Sequence, residues 1–329
     1  MTSHYDVAAL GHAIVDVIAP ASDDFLAAEG LVKGSMALID DARAISLYGR
    51  MGAAVETSGG SAGNTIAGVG SLGGRGAFIG KVAADQLGEV YAHDMGAIGA
   101  TFSGGRLANG SATGRCLINV TPDGERTMCT YLGAAAKLSP KDVSPAIIEA
   151  SKIVYLEGYL FDSEGARRAF AKAAGLARAS ERLIALSLSD GFVVERHRDL
   201  LLGFIEAEVD ILFANEPEIT ALLQTESFEA AARGVGSLTK IAAVTRGAKG
   251  SVVVAGGRSH HIAACPVEKV VDTTGAGDQY AAGFLLALAQ GRSPDHCGRL
   301  GALAAAEVIS HYGPRPLVSL KDLAKAAGL

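Results

Sequence analysis

Tryptophan is absent from this chain, aromatic residues make up only 5% of it, and just 4 of its 329 residues are cysteine. Cys116, Cys129, Cys265 and Cys297 show no CxxC spacing and no clustered histidines, which argues against a zinc site or a disulfide framework and suits small core residues in a reducing compartment. There is no excess of positive charge. Lys plus Arg number 29 against 35 Asp plus Glu, a net charge of -6, so no field exists to hold nucleic acid or an anionic membrane non-specifically. No uncharged apolar run reaches the roughly 18 residues that span a bilayer. No basic stretch leads into an apolar one at the start of the sequence, so no signal peptide is expected and the location expected is the cytoplasm. Pro/Ser linkers, low-complexity tracts and long repeats are missing too, and a single domain over residues 1–329 is expected.

What is present is a rhythm. Short apolar runs at 7–10, 77–79, 153–156, 183–186, 211–213, 242–245 and 251–254 do not alternate with polar residues, as suits strands buried on both faces of a mostly parallel sheet. Helix-compatible stretches at 63–72, 165–180 and 217–223 lie between them, which points to a doubly wound α/β/α sandwich. One region breaks the pattern: the strand-like runs 115–120 and 126–132, joined through Pro122-Asp123-Gly124, read as a hairpin. With extended stretches at 14–19 and 35–39, the hairpin is expected to form a small β-sheet lid from segments near 12–40 and 100–135.

The strongest chemical signal is Asp272-Thr273-Thr274-Gly275-Ala276-Gly277-Asp278. Tyr280, Phe284 and Leu288 follow at i, i+4 and i+8, so the Gly-Ala-Gly segment sits at a helix start, where free N–H groups and the positive end of the helix dipole converge. Without large side chains at Gly275, Ala276 and Gly277, a phosphate can approach those groups closely. Asp278, at the edge of this anion hole, is placed to take a proton from an alcohol, although an acid there can also simply cap the helix.

The run 272–278 resembles the C-terminal signature of the PfkB, or ribokinase-like, family of carbohydrate and nucleoside kinases, and Gly59-Gly60-Ser61-Ala62-Gly63-Asn64-Thr65 resembles its N-terminal counterpart. The resemblance extends from about Asp6 to Pro316 and implies a ribokinase-like three-layer sandwich, ATP with Mg2+ as cofactors, and a small nucleoside or sugar as substrate. Carried over by position, it makes Asp278 the catalytic base with Gly275, Ala276 and Gly277 as the anion hole, and Gly60, Gly63 and Asn64 substrate contacts. Asp16, a charge among apolar neighbours, needs partners that sugar hydroxyls supply, unless it is a solvated edge-strand residue. Glu157 is a further substrate candidate at a strand end.

Asn215-Glu216-Pro217-Glu218 resembles the family's Asn-x-x-Glu motif, in which Asn215 and Glu218 would act on Mg2+ largely through water; a helix start with Pro217 in its first turn explains the same residues. Residues 245–250 resemble the nucleotide loop. That resemblance implies ATP contacts at Asn215, Thr245, Gly247, Gly250, Gly275, Gly277 and His311, with a plain turn between two strands as the alternative. Asp272 and Thr274 match positions that hold a monovalent cation such as K+ in many relatives. Residues 124–128, 131–135, 155–160 and 310–316 are similar to the adenosine-kinase-like branch, which phosphorylates the 5′-hydroxyl of adenosine. A kinase of ribose, fructose or 2-keto-3-deoxygluconate is the alternative, and a non-catalytic nucleotide-binding regulator on the same fold is a third. Monomer and homodimer both stay open. Gly68-Val69-Gly70-Ser71-Leu72-Gly73 matches Gly-x-Gly-x-x-Gly but falls inside a helix-compatible stretch, the wrong context for a dinucleotide fingerprint. No P-loop sequence occurs, and His260-His261 reads as a solvated turn pair.

Overall fold

Residues 4–329 are described by a computed structural model. Their strands are, in chain order, β1 (Tyr5–Leu10), β2 (Ile14–Pro20), β3 (Met36–Leu38), β4 (Val55–Gly59), β5 (Gly76–Ala83), β6 (Thr101–Leu107) and β7 (Gly114–Val120). Then come β8 (Arg126–Tyr131), β9 (Ser151–Glu157), β10 (Leu183–Ser187), β11 (Ile211–Asn215), β12 (Ile241–Thr245), β13 (Ser251–Ala255) and β14 (Arg258–Ile262). Nine of them form one sheet in the order β14-β13-β12-β11-β10-β9-β1-β5-β6, parallel except at the β12-β13-β14 edge. The seven apolar runs all lie in this sheet. Helices cover both of its faces, each face with its own hydrophobic cluster, which is the expected sandwich.

The other five strands form a second sheet in the order β3-β8-β7-β2-β4, with the hairpin β7–β8 at its centre. Two expectations need correction. Residues 101–107 do not belong to the small sheet: β6 pairs in parallel with β5, because the helix Gln86–Ala97 returns the chain to the large sheet as a crossover. His260 and His261 are not a turn; they sit in β14, the exposed edge strand that pairs antiparallel with β13.

Small residues set how closely the helices approach. The helix Ala276–Ala289 packs against Ser61–Ser71 on one side and Pro294–Val308 on the other. A Cβ on Gly68 would lie 2.1 Å from Gln279 Oε1, so the Gly-x-Gly-x-x-Gly match is a helix-packing surface. Three of the four cysteines are buried and all four are free. Among the described residues no helix is long and apolar enough to cross a membrane. The carboxyl ends of the parallel strands gather on one side, where open α/β sheets bind ligands, and the small sheet stands over that side.

A Cβ on Gly283 would come within 2.6 Å of the Leu300 carbonyl oxygen, and main chain cannot yield as a side chain can. Helix propensity favours alanine by about 1 kcal/mol, but overpacking costs about 1–3 kcal/mol. Gly283→Ala is therefore expected to lower stability in urea unfolding, and an unchanged or raised midpoint would show that the two helices part freely.

Candidate active site

Gly275 makes the turn that starts the Ala276 helix. Its φ of 78° is left-handed, and a Cβ there would meet Pro314 at 2.6 Å, so glycine is required on both counts. The Ala276 N–H donates to the Thr273 carbonyl and the Gln279 N–H to the Gly275 carbonyl. Between them, Gly277 and Asp278 present first-turn N–H groups with no intrahelical acceptor. Gly277 has open space beside it.

A second helix start meets the first. Gly60 caps the Ser61 helix with φ 82°, a position where a Cβ would lie 2.3 Å from the His12 carbonyl. From that helix, Ser61 Oγ donates to Asp278 Oδ1 at 2.6 Å and Asn64 Nδ2 to Asp278 Oδ2 at 3.1 Å. Burial still pushes the Asp278 carboxyl up to about 6, against the two hydrogen bonds that lower it, with the Glu157 charge adding to the rise. Asp16, on β2, is 7% exposed; burial pushes it to about 7, although Arg315 and Arg126 pull it down. Glu157, 1% exposed at the end of β9, accepts from the main-chain N–H groups of His12 at 3.2 Å and Ala62 at 2.9 Å. His12 Nδ1 lies 3.1 Å from it. Glu157 therefore anchors the Ser61 helix.

These groups line a cleft of about 740 Å³ between the two sheets. Its walls bring together Asp16, Gly60, Asn64, Glu157, Asn215, Glu218, Thr245 and the run Thr273–Asp278. Gly63 does not line it, being buried against the Tyr91 hydroxyl, and Gly247, Gly250, Asp272 and His311 also lie outside it. His311 instead contacts Glu307 through Nε2 at 3.1 Å. Asn215 and Glu218 close a capping box: Asn215 Oδ1 accepts from the Glu218 N–H at 2.8 Å, and Glu218 Oε2 accepts from the Asn215 N–H at 3.0 Å. Burial raises Glu218 to about 7, the Asn215 N–H opposes this, and Asp190 adds to it.

Asp272 has its oxygens engaged by the protein. Oδ1 accepts from the N–H of Thr274 at 3.0 Å and from its hydroxyl at 2.7 Å; Oδ2 accepts from the Gly313 N–H at 3.0 Å and lies 2.7 Å from Arg126 Nη2. A positive charge beside Asp272 is thus the Arg126 guanidinium from β8.

Sequence reasoning missed Ser61 as a partner of Asp278, and also Arg126, Arg315, His12 and Gln279. Ser61, Arg126 and Arg315 lie within stretches that resemble the family and Gln279 directly follows one, but each of these, like His12, meets a partner more than 100 residues away and carries no local sign of it. The small sheet supplies a wall that was also missed: Ile14, Met36, Leu38, Cys116, Ile118, Met128 and Leu132 line the cleft from the sheet that also carries Asp16, which is in register with Cys116.

A sequence model of pfkB family carbohydrate kinases matches residues 6–320. The chain belongs to the PfkB family. It is 51% identical to a solved adenosine kinase from Sinorhizobium meliloti, covering 98% of this chain and 99% of that one with a TM-score of 0.90. It is 45% identical to a probable sugar kinase from Rhizobium etli, covering 99% of both chains with a TM-score of 0.92. Adenosine kinase 2 of Arabidopsis thaliana is 26% identical over 339 residues, covering 95% of this chain and 96% of the relative. The fold is that of ribokinase-like kinases, and this PfkB enzyme is a phosphotransferase acting on a hydroxyl group of a nucleoside or sugar.

The raised Asp278 carboxyl has a consequence for stability. The folded state keeps its proton to about pH 6, whereas the unfolded chain releases it near 3.8, so the wild type loses this contribution as pH rises between those values. Asp278→Asn should therefore gain stability relative to wild type between pH 4.5 and 7.5 in urea unfolding. A difference that is constant with pH would contradict the raised value.

Proposed function

We propose that the chain transfers the γ-phosphoryl group of ATP to the 5′-hydroxyl of adenosine. The observation that carries this reading is the two-sided cleft. Asp16, on the small sheet, and Asn64, on the Ser61 helix, offer a carboxylate and an amide for the hydroxyls of a ribose, and the rest of the small sheet's cleft face is an aliphatic and thioether wall, with Met36 49% and Leu38 60% exposed. A purine ring covers such a wall, whereas a free sugar would set hydroxyls against it without partners.

Kinases of this family use ATP with Mg2+, and the residues present fit that pair. Glu218 and Asp190 bring two acids to the cleft wall beside Asn215, and Glu218, raised chiefly by burial and further by Asp190, is an acid that a cation reached through water would relieve. When bound with the nucleotide, Mg2+ neutralises phosphate charge. Asp16 and Asn64 orient the nucleoside, and Asp278, its carboxylate held by Ser61 and Asn64, takes the proton of the attacking hydroxyl. The Gly277 and Asp278 N–H groups face the charge that spreads over the transferring group. The small sheet acts as a lid that excludes water.

A panel of adenosine, inosine, ribose, fructose and 2-keto-3-deoxygluconate in an assay of ADP release tests the substrate. Adenosine should exceed every free sugar by about 10²-fold in kcat/KM, and a sugar that equals it would overturn the reading. Asp278→Asn should lower kcat by about 10²–10⁴-fold. With wild type, kcat/KM should rise with pH through about 6 as Asp278 gives up its proton. On the reading that the Arg126 guanidinium beside Asp272 takes the place of a monovalent cation, the rate in Na+ should match that in K+, and dependence on K+ would overturn that reading.

A further inference from the structure

Arg315 stands behind the site and does not line the cleft. Its Nε donates to Asn64 Oδ1 at 3.3 Å, and its Nη2 faces the Met95 thioether at 3.9 Å. Among the described residues no carboxylate forms an ion pair with it. Burial lowers its pKa, with Tyr91, Asp16 and Asp94 opposing the shift. A shielded cation with an amide oxygen and a thioether for partners is costly unless something else uses its charge.

Asn64 is the link. A guanidinium has donors and no acceptor, so the amide atom turned toward it must be the oxygen. That choice turns the amide NH2 toward Asp278 Oδ2, 3.1 Å away. Were the amide free to flip, it would present an oxygen to a carboxylate. The segment carrying Arg315 is itself tied in: the Pro314 carbonyl accepts from Gln279 Nε2 at 3.0 Å, the same nitrogen donates to the Asn64 carbonyl at 3.0 Å, and Pro314 backs Gly275.

We propose that Arg315 is a positioning residue of the transfer reaction: its guanidinium locks the Asn64 amide so that the NH2 meets the Asp278 carboxylate, and its charge stands behind Asp16. The inference rests on Asp278 being the base. The ionisable groups that act on the two acids are Glu157 for Asp278, and Arg315, Arg126 and Asp278 for Asp16; the Tyr91, Tyr155 and Tyr159 phenols and the Cys116 thiol beside these acids are all held above their ordinary values, chiefly by burial, and stay neutral. Removing Arg315 therefore withdraws the larger of two lowering influences on Asp16 directly, leaving Arg126, and weakens one of two on Asp278 through Asn64, leaving Ser61.

The test compares Arg315→Met, Arg315→Lys, Asn64→Leu and the Asn64→Leu/Arg315→Met double variant, with Asp278→Asn as reference. Arg315→Met should lower kcat by about tenfold and move the acid limb of kcat/KM for adenosine to higher pH, while KM for ATP stays unchanged. Arg315→Lys should return the limb toward wild type, because the charge is restored, but only part of kcat, because the donor geometry is not. In the Asn64→Leu background, Arg315→Met should cost less kcat than it does alone. Wild-type kcat and limb in Arg315→Met, or full multiplication of the two losses, would overturn the proposal. So would a loss in Arg315→Met and Arg315→Lys alike that follows their thermal midpoints with the limb unmoved. If Asp278→Asn keeps wild-type turnover, the base assignment fails and takes this inference with it. If Asp278→Asn is inactive and Arg315→Met is normal, only the role of Arg315 fails.

Discussion

Two helix N-termini meet at the Asp278 carboxylate, one carrying it and the other supplying Ser61 and Asn64 as its donors. Helix starts offer N–H groups and positive potential, so each is a place where negative charge is tolerated. Meeting end to end, they hold a half-buried acid next to free main-chain donors without a metal ligand set. Everything else in the site serves that junction. Glu157 fixes one helix through the Ala62 N–H, Gly275 lets Pro314 back the other, and Gln279 joins them by bridging the Asn64 and Pro314 carbonyls.

The arrangement carries a cost in stability. Asp16, Glu218 and Asp278 are all held above the ordinary carboxylate range, in each case chiefly by burial. A protein optimised for stability alone would place apolar or amide groups there. Three such acids around one cleft mark where folding energy has been given up for chemistry. Asp85 shows the opposite case: it caps the helix Gln86–Ala97, accepts from Thr113 and Gly88, and is held below its usual value. The contrast separates acids that hold the fold from acids that wait for a partner.

Much of this was legible in the residues. Uninterrupted apolar runs became the buried strands of the large sheet, since a strand covered on both faces has no polar side to show. The glycines at 275 and 277 announced a close approach to a helix start. What stayed hidden has a common cause. β4 reads Val-Glu-Thr-Ser-Gly and β14 reads Arg-Ser-His-His-Ile; both are edge strands whose pairing comes from a neighbour and not from their own composition. β6 carries two glycines and joined the large sheet by topology. Arg126 and Arg315 lie in stretches similar to the adenosine-kinase-like branch, but only the fold brings one beside Asp272 and the other beside Asn64.

The small sheet contributes apolar side chains and Asp16 to the cleft, while the strand ends and helix starts of the large sheet contribute its other polar groups, so the cleft presents both characters to a ligand. The measurement that tests the central claim most directly is a crystal structure with adenosine and a non-hydrolysable ATP analogue. The account predicts the 5′-oxygen within about 2.6–3.2 Å of an Asp278 carboxylate oxygen, with the terminal phosphate on the Gly277 and Asp278 N–H groups. A nucleoside hydroxyl directed to another residue, with Asp278 still bound only to Ser61 and Asn64, would contradict it.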